Sequence, residues 1–442
     1  MRWWAMDYLV LSPEYLPDLK TADAENVSFL QNLSDALHME ASAGIIYHSP
    51  DRMIQTIKKG LNSHLAQITP LLAEEADFAL MFEIGEDSNG WKEFNATKLL
   101  FGATYRIACR FFIAKELSGD EKLIKTLTAF TESIFINGLI IKMLPLGPIR
   151  GILAWPISFF HRRKMEAALE RLQPLVERRI SLFAADDSSS MKKSPNTEHF
   201  LDAIDWILTA SSAQPTQQDS RILAIEILHN FWASSGSPSA LLTQIVFQVL
   251  MFPMYLDPLR KEVQDAVSKY GWTEKAVQSL PLLDSFIRET NRLYPSFSVK
   301  GEPWRLHDGL VLPVGTRCIW AADPLLRNPK AFVDPLVFDG FRFARLATDD
   351  EKREGKEDGN SSAASFLSPT NLAFGYGRHA CPGRFYALRK VKVLFGKLIL
   401  GYDIEWDTPR TERPSPVSVE AQFAPNLWQK IRLRRRPVPT EG

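Results

Sequence analysis

The chain has 442 residues, 45% hydrophobic and 24% charged, a balance ordinary for a soluble globular protein with a large core. Lys+Arg and Asp+Glu both number 52, so no net field draws the chain to nucleic acid or anionic lipid. Three cysteines, Cys109, Cys318 and Cys381, exclude a disulfide framework and leave room for one functional thiolate in a reducing compartment.

Residues 1–20 carry Arg2, Asp7, Glu14, Asp18 and two prolines, with neither the apolar run of a signal peptide nor the length of a membrane span. Apolar residues at helical spacing predict helices over 66–82, 96–112 and 165–183. The apolar but Pro- and Gly-broken stretch 137–160 predicts short helices joined by turns, either a buried hairpin or a surface that rests on a membrane. The polar stretches 186–198 and 349–363 read as solvated loops. No charge occurs from 230 to 256, a length that can cross a bilayer. That stretch holds Asn230, Gly236, Pro238, Gln244, Gln248, Pro253 and four serines, so a buried central helix explains it better. Asp257 and Pro258 predict a cap and first turn for a helix over 257–268. Helical spacing returns at 282–293, and GLVLPVGTRCIW (309–320) reads as strand, turn, strand. Helices lead and a little sheet follows, without βα alternation. The fold class is mainly α (α+β), one domain over 1–442.

The strongest local signal is FGYGRHACPGRFYA, residues 374–387, running into a helix that starts near Gly383. A helix N-terminus offers unpaired N–H groups and a positive dipole end, which favour a thiolate at Cys381. Pro382 sits where a missing N–H costs little. Gly375 and Gly377 permit a tight loop that can approach a flat ring closely, and Phe374 can shield the sulfur. Cys109, in an apolar helix, and Cys318, in a strand, read as buried core thiols.

This loop resembles the haem-binding segment of cytochromes P-450, in which Phe-Gly-x-Gly-x-(Arg/His)-x-Cys-x-Gly is highly specific. The resemblance implies a P-450 fold, with many helices and small β-sheets, and haem b whose iron binds the Cys381 thiolate. Thiolate ligation favours O–O cleavage. It also implies that Phe374, Gly375, Gly377 and Gly383 shape the cofactor's bed and that His379 contacts a propionate. Glu289-x-x-Arg292 in FIRETNRLYP and Arg342 in FDGFRF match the family's buried triad, which locks the cysteine loop. As bare spacing, the first two read equally as a surface ion pair.

SPTNLAFGYGRHACPGRFYA, PLRKEVQDAV, LPVGTR and VLSPEYLPDLK together resemble fungal microsomal members that tailor secondary metabolites such as terpenoids and indole-derived compounds. The implied reaction is a monooxygenase's, inserting one atom of O2 into an apolar small molecule. Electrons would come from NADPH through a separate NADPH–cytochrome P-450 reductase, since no G-x-G-x-x-G loop follows a strand. Lys390, Lys392 and Arg384 are expected to form a basic docking surface for it. The alternatives are a haem-thiolate isomerase, dehydratase or peroxide user, or a degenerate truncated haem protein.

The family's acid–Thr pair on the central helix falls at ASSGSPSALL (233–242), where Gly236 and Ser237 stand. Ser237 is expected to serve O2 and proton delivery, or to satisfy a backbone carbonyl at a kink made by Pro238. Lys58 matches a propionate-binding Arg, or is a solvated lysine. Met1 falls within the family's first small sheet, which implies a shortened protein, a fragment or a misassigned start. A full-length, anchored form would lie on the cytoplasmic face of the endoplasmic reticulum. Here 139–160 is the apolar surface left for peripheral membrane contact.

Overall fold

The computed structural model describes residues 2–3, 6–7, 9–22, 34–35, 37–43, 50–86, 90–144, 149–188, 201–210, 219–294, 300–301, 307–308, 310, 312, 316, 318–320, 325–354, 363–368, 370–419 and 422–437. The helices used here are α1 (Leu16–Thr21), α2 (Pro50–Gln55), α3 (Leu65–Ile84), α4 (Ala96–Ala108), α5 (Glu121–Met143), α6 (Arg150–Ile157) and α7 (Phe159–Ser188). They continue as α8 (Ala203–Ala210), α9 (Ser220–Met251), α10 (Leu256–Tyr270), α11 (Glu274–Gln278), α12 (Pro281–Leu293), α13 (Arg342–Glu354) and α14 (Arg384–Gly401). The chain groups into two compact units, Met1–Asp7, Ser28–Leu65 and Tyr105–Gly236 in one, and Tyr8–Val27, Ala66–Thr104 and Ser237–Gly442 in the other.

In the first unit, β1 (Arg2–Trp3) and β2 (Met6–Asp7) form an antiparallel hairpin. Helices α5, α7 and α8 bury Phe130, Leu169 and Trp206. Two sets of paired charges are built into this core. Arg52 of α2 makes two hydrogen bonds to Glu226 of α9, at 2.7 and 2.5 Å. Buried Arg179 reaches Glu116, Asp202 and Asp205. Cys109 is a buried core thiol, as expected.

The second unit holds the small sheets. β3 (Leu9–Leu11) runs parallel to β6 (Cys318–Trp320), which pairs antiparallel with β5 (Lys300–Gly301). β4 (Lys92–Asn95) and β7 (Tyr402–Trp406) flank β10 (Lys430–Arg435), and β8 (Val417–Val419) pairs with β9 (Gln422–Ala424). Cys318 is buried in β6. Every residue of α12 from Leu283 to Leu293 is buried, charged ones included. Its first N–H groups, which have no partner inside the helix, are taken by Glu262 of α10 at 2.7 and 2.9 Å.

The uncharged stretch forms a central helix up to Met251, with residues 241–249 all buried, and then breaks into a 3-10 turn at Pro253–Tyr255 before Leu256 opens the next helix. α9 continues through Pro238 as one element. Several expectations change. Residues 349–354 extend α13, and 186–188 end α7, because Asp, Glu, Lys and Arg runs tolerate helix as well as loop. Asp257 does not cap α10. It lies in the first turn and pairs with Arg260 at 2.9 Å, while Tyr255 holds the cap position. Asn137 and Gly138 lie inside a 23-residue helix rather than in a turn. Among the described residues, Glu121–Ile141 is the one helix long and apolar enough by itself to cross a membrane, and half of it is buried inside the protein. The first strand expected within 309–320 lies largely outside the described residues.

Candidate active site

The site is built on the N-terminus of α14. The Cys381 N–H donates to the Phe374 carbonyl at 2.7 Å, and this closes residues 374–381 into an arch. Gly375 and Gly377 lie at φ +78° and +61°, a region closed to most side chains. At Gly377 a Cβ would fall 2.3 Å from the Lys20 Cα. The close approach that requires this glycine is therefore made by the chain's own α1. Gly383 caps α14, and Arg384 Nη1 donates to the Cys381 carbonyl at 3.0 Å.

Cys381 is accessible, yet the fold surrounds it closely enough for burial to dominate its chemistry. Burial pushes its thiol above the ordinary value. The Gly383 N–H, the Arg384 charge and the Arg384 N–H pull the other way without reversing it. The helix start alone therefore does not make a thiolate. A cation at the sulfur supplies what is missing, because metals bind the deprotonated ligand. One soft donor fits haem iron. Among the described residues no cluster of three His, Cys, Asp or Glu could hold a metal.

The sequence-predicted triad is assembled. Arg292 Nε and Nη2 both donate to Glu289 at 2.8 Å, and Arg342 Nε reaches the same carboxylate at 3.2 Å. Glu289 is fully buried and Arg292 nearly so, which removes the surface-pair reading. The outward hydrogen bonds of the triad's arginines go to the Leu326, Val333, Asp334, Pro335 and Val337 carbonyls, so it grips residues 326–337. Phe338 and Phe341 seat Arg342 by packing on Phe252, Tyr255 and Phe286.

The expected docking surface fails. Lys390 and Lys392 are buried, and Lys392 Nζ donates to Asp284 at 2.7 Å and to the Val277 carbonyl at 3.0 Å. These lysines are internal struts. α14 is buried on almost every face, so its charges are not a solvated stripe.

Ser237 is half-buried on α9, and among the described residues its hydroxyl forms no hydrogen bond. The carbonyl-satisfying role falls to Ser234 and Ser235, both bonded to Phe231 O. Lys58 lies exposed in the short π-helix Thr56–Leu61, in the first unit. His379 donates from Nε2 to the Ala22 carbonyl at 2.9 Å. Lys20, Ala22, Glu262 and Asp284 escaped notice because their parts are played through backbone contacts or from distant sequence. Arg384 had a local signal, its place directly after Cys-Pro-Gly.

The family model "Cytochrome P450" matches residues 24–424. The chain is 37% identical over 440 residues to the cytochrome P450 monooxygenase sirB of Leptosphaeria maculans, covering 98% of this chain and 82% of that one. It is 29% identical to the cytochrome P450 monooxygenase janP of Penicillium janthinellum, over 97% of this chain and 81% of that one. Among solved structures it is similar to retinoic acid bound cyanobacterial CYP120A1, with TM-score 0.63 and 18% identity over 95% of this chain and 87% of the other, a likeness in fold. The arch, the buried triad and these likenesses agree: the chain belongs to the cytochrome P450 family and is a haem-thiolate monooxygenase that works with O2, an organic substrate and a redox partner.

Proposed function

We propose that Cys381 is the protein ligand to the iron of haem b, and that the enzyme oxygenates an apolar secondary metabolite, terpenoid or indole-derived, in a tailoring step. Electrons come from NADPH through a separate NADPH–cytochrome P-450 reductase. The observation that carries this reading is the accessible Cys381 sulfur at the start of α14, held by the Gly383 and Arg384 N–H groups.

When bound, the haem supplies the redox chemistry by which one atom of O2 enters the substrate. The chain's own residues do the rest. The N–H donors on the sulfur temper its electron donation, and the Phe374 carbonyl fixes the arch that carries it. Ser237 Oγ holds a proton or orients a water for O2 chemistry. His379 meets a propionate, and the triad keeps 326–337 in place. A family match running through 24–424 supports one catalytic domain, and the relatives' monooxygenase names weigh against an isomerase, a dehydratase, a peroxide user or a degenerate product.

The test is a reduced, CO-bound difference spectrum of wild type and Cys381→Ser. A Soret band at the thiolate position that vanishes in the variant is expected. A band unchanged by the substitution overturns the assignment.

A second feature supports peripheral contact with the cytoplasmic face of the endoplasmic reticulum. Ile136 and Ile140 of α5, with Ile149, Ile152, Trp155 and Phe160, are exposed in the first unit. Arg162 lies over the Trp155 ring at 5.1 Å, an aromatic–basic pairing suited to a headgroup layer. Ile152→Glu with Phe160→Glu should abolish co-sedimentation with phosphatidylcholine vesicles, and retained binding removes the idea.

A further inference from the structure

His379 does something that a propionate contact does not require. Its Nε2 lies 2.9 Å from the Ala22 carbonyl, an atom that can only accept, so the ring carries its proton on Nε2 and donates. Ala22 follows the last residue of α1, where carbonyls have run out of helical N–H partners. Two further contacts fall at the same joint. Gly377, two residues before His379, lies against the Lys20 backbone so tightly that no side chain fits there. Leu16 and Ala22 share one buried cluster with Leu372, against which Tyr376 packs. The outer side of α1 is also tied. Asp18 accepts from His307 Nδ1 at 2.7 Å, and Tyr15 donates to Asp308 at 2.8 Å.

We propose that His379 is a positioning residue for Cys381, fastening the 374–381 arch to α1 so that the N-terminal helix sets where the sulfur stands. The proposal rests on the reading of Cys381 as iron ligand. It makes α1 part of the cysteine loop's support, alongside the triad, whose described hydrogen bonds lead to 326–339 instead.

The test uses the full chain in two forms. In haem-free protein, backbone hydrogen exchange over residues 16–22 is compared between wild type, His379→Leu and His379→Gln. Loss of one such bond should raise exchange about fivefold in the Leu variant, and Gln, which can still donate, should restore most of the protection. Gly377→Ala should raise exchange over the same residues from the other side of the joint. In haem-loaded protein, the Leu and Ala variants should shift the CO-bound Soret band from the thiolate position toward that of a displaced sulfur within hours, while Gln holds it. Unchanged exchange over 16–22 in both His379→Leu and Gly377→Ala overturns the proposal. Haem loss from His379→Leu with unchanged exchange also overturns it, because only a propionate contact has then been removed. If wild type and Cys381→Ser give the same spectrum, the ligand assignment fails, while the exchange result still decides the clasp.

Discussion

The triad and the cysteine arch, both in the second unit, treat their polar groups in opposite ways. Around Glu289 every strong group has a protein partner. Two arginines share its carboxylate, their remaining N–H groups find carbonyls, and the Asp339 N–H donates to the same anion at 3.1 Å. At Cys381 the sulfur has N–H donors behind it and remains accessible in front, and burial leaves its thiol short of a counter-charge. Ser237 resembles the arch in this respect. A closed network fixes geometry and has no capacity left for a ligand, whereas an open one keeps capacity that chemistry can use.

The sharpest way to break the comparison is Glu289→Ala. It leaves two buried guanidinium groups facing each other without an anion and should cost about 3–5 kcal/mol in urea unfolding of the haem-free protein. In the same measurement Cys381→Ser should cost under about 1 kcal/mol, since the arch is held by backbone bonds. Equal losses would erase the distinction.

Two imidazoles of the first unit extend the contrast to pH. His161 Nδ1 meets Ser133 Oγ at 2.6 Å, and His229 Nδ1 donates to the Ile225 carbonyl at 2.7 Å. Burial pushes both down to about 4. Above the unfolded value of about 6.5 both states are neutral and stability is whole. As pH falls from 6.5 toward 4 only the unfolded chain takes up protons, so stability declines by at most roughly 3 kcal/mol per imidazole. Urea midpoints at pH 7 and 4.5 read this, and His161→Gln with His229→Gln should flatten the decline.

Lys392→Met strands Asp284 in the core and should cost about 2–3 kcal/mol, with Asp284→Leu recovering most of it in the double variant. An unaltered stability with a weakened reductase interaction would return Lys392 to the surface. The smallest structural effect belongs to Ser237→Ala, within about 0.5 kcal/mol. Its effect should appear in turnover, as severalfold less product per NADPH consumed, with Ser237→Thr close to wild type.

Much of the arch was legible because its chemistry is local. Two positive-φ glycines, a Cys-Pro-Gly and a helix start lie within ten residues. The triad's residues were legible, but their grip on 326–337 was not, because backbone carbonyls leave no trace in residue type. Lys390 and Lys392 were misread for a related reason. Charge on a helix usually marks a wet face, and the contrary sign lay in Val391, Val393, Leu394, Phe395 and Leu398, which leave α14 no side free of apolar neighbours. The α1 contacts, more than 350 positions from the arch in sequence, had no local signal.

The most direct test of the central claim is an iron anomalous-difference map from crystals of the haem-loaded protein. The account predicts one strong peak at direct bonding distance from the Cys381 sulfur. Iron beside Cys318, Cys109 or a histidine, with Cys381 unbonded, would contradict it.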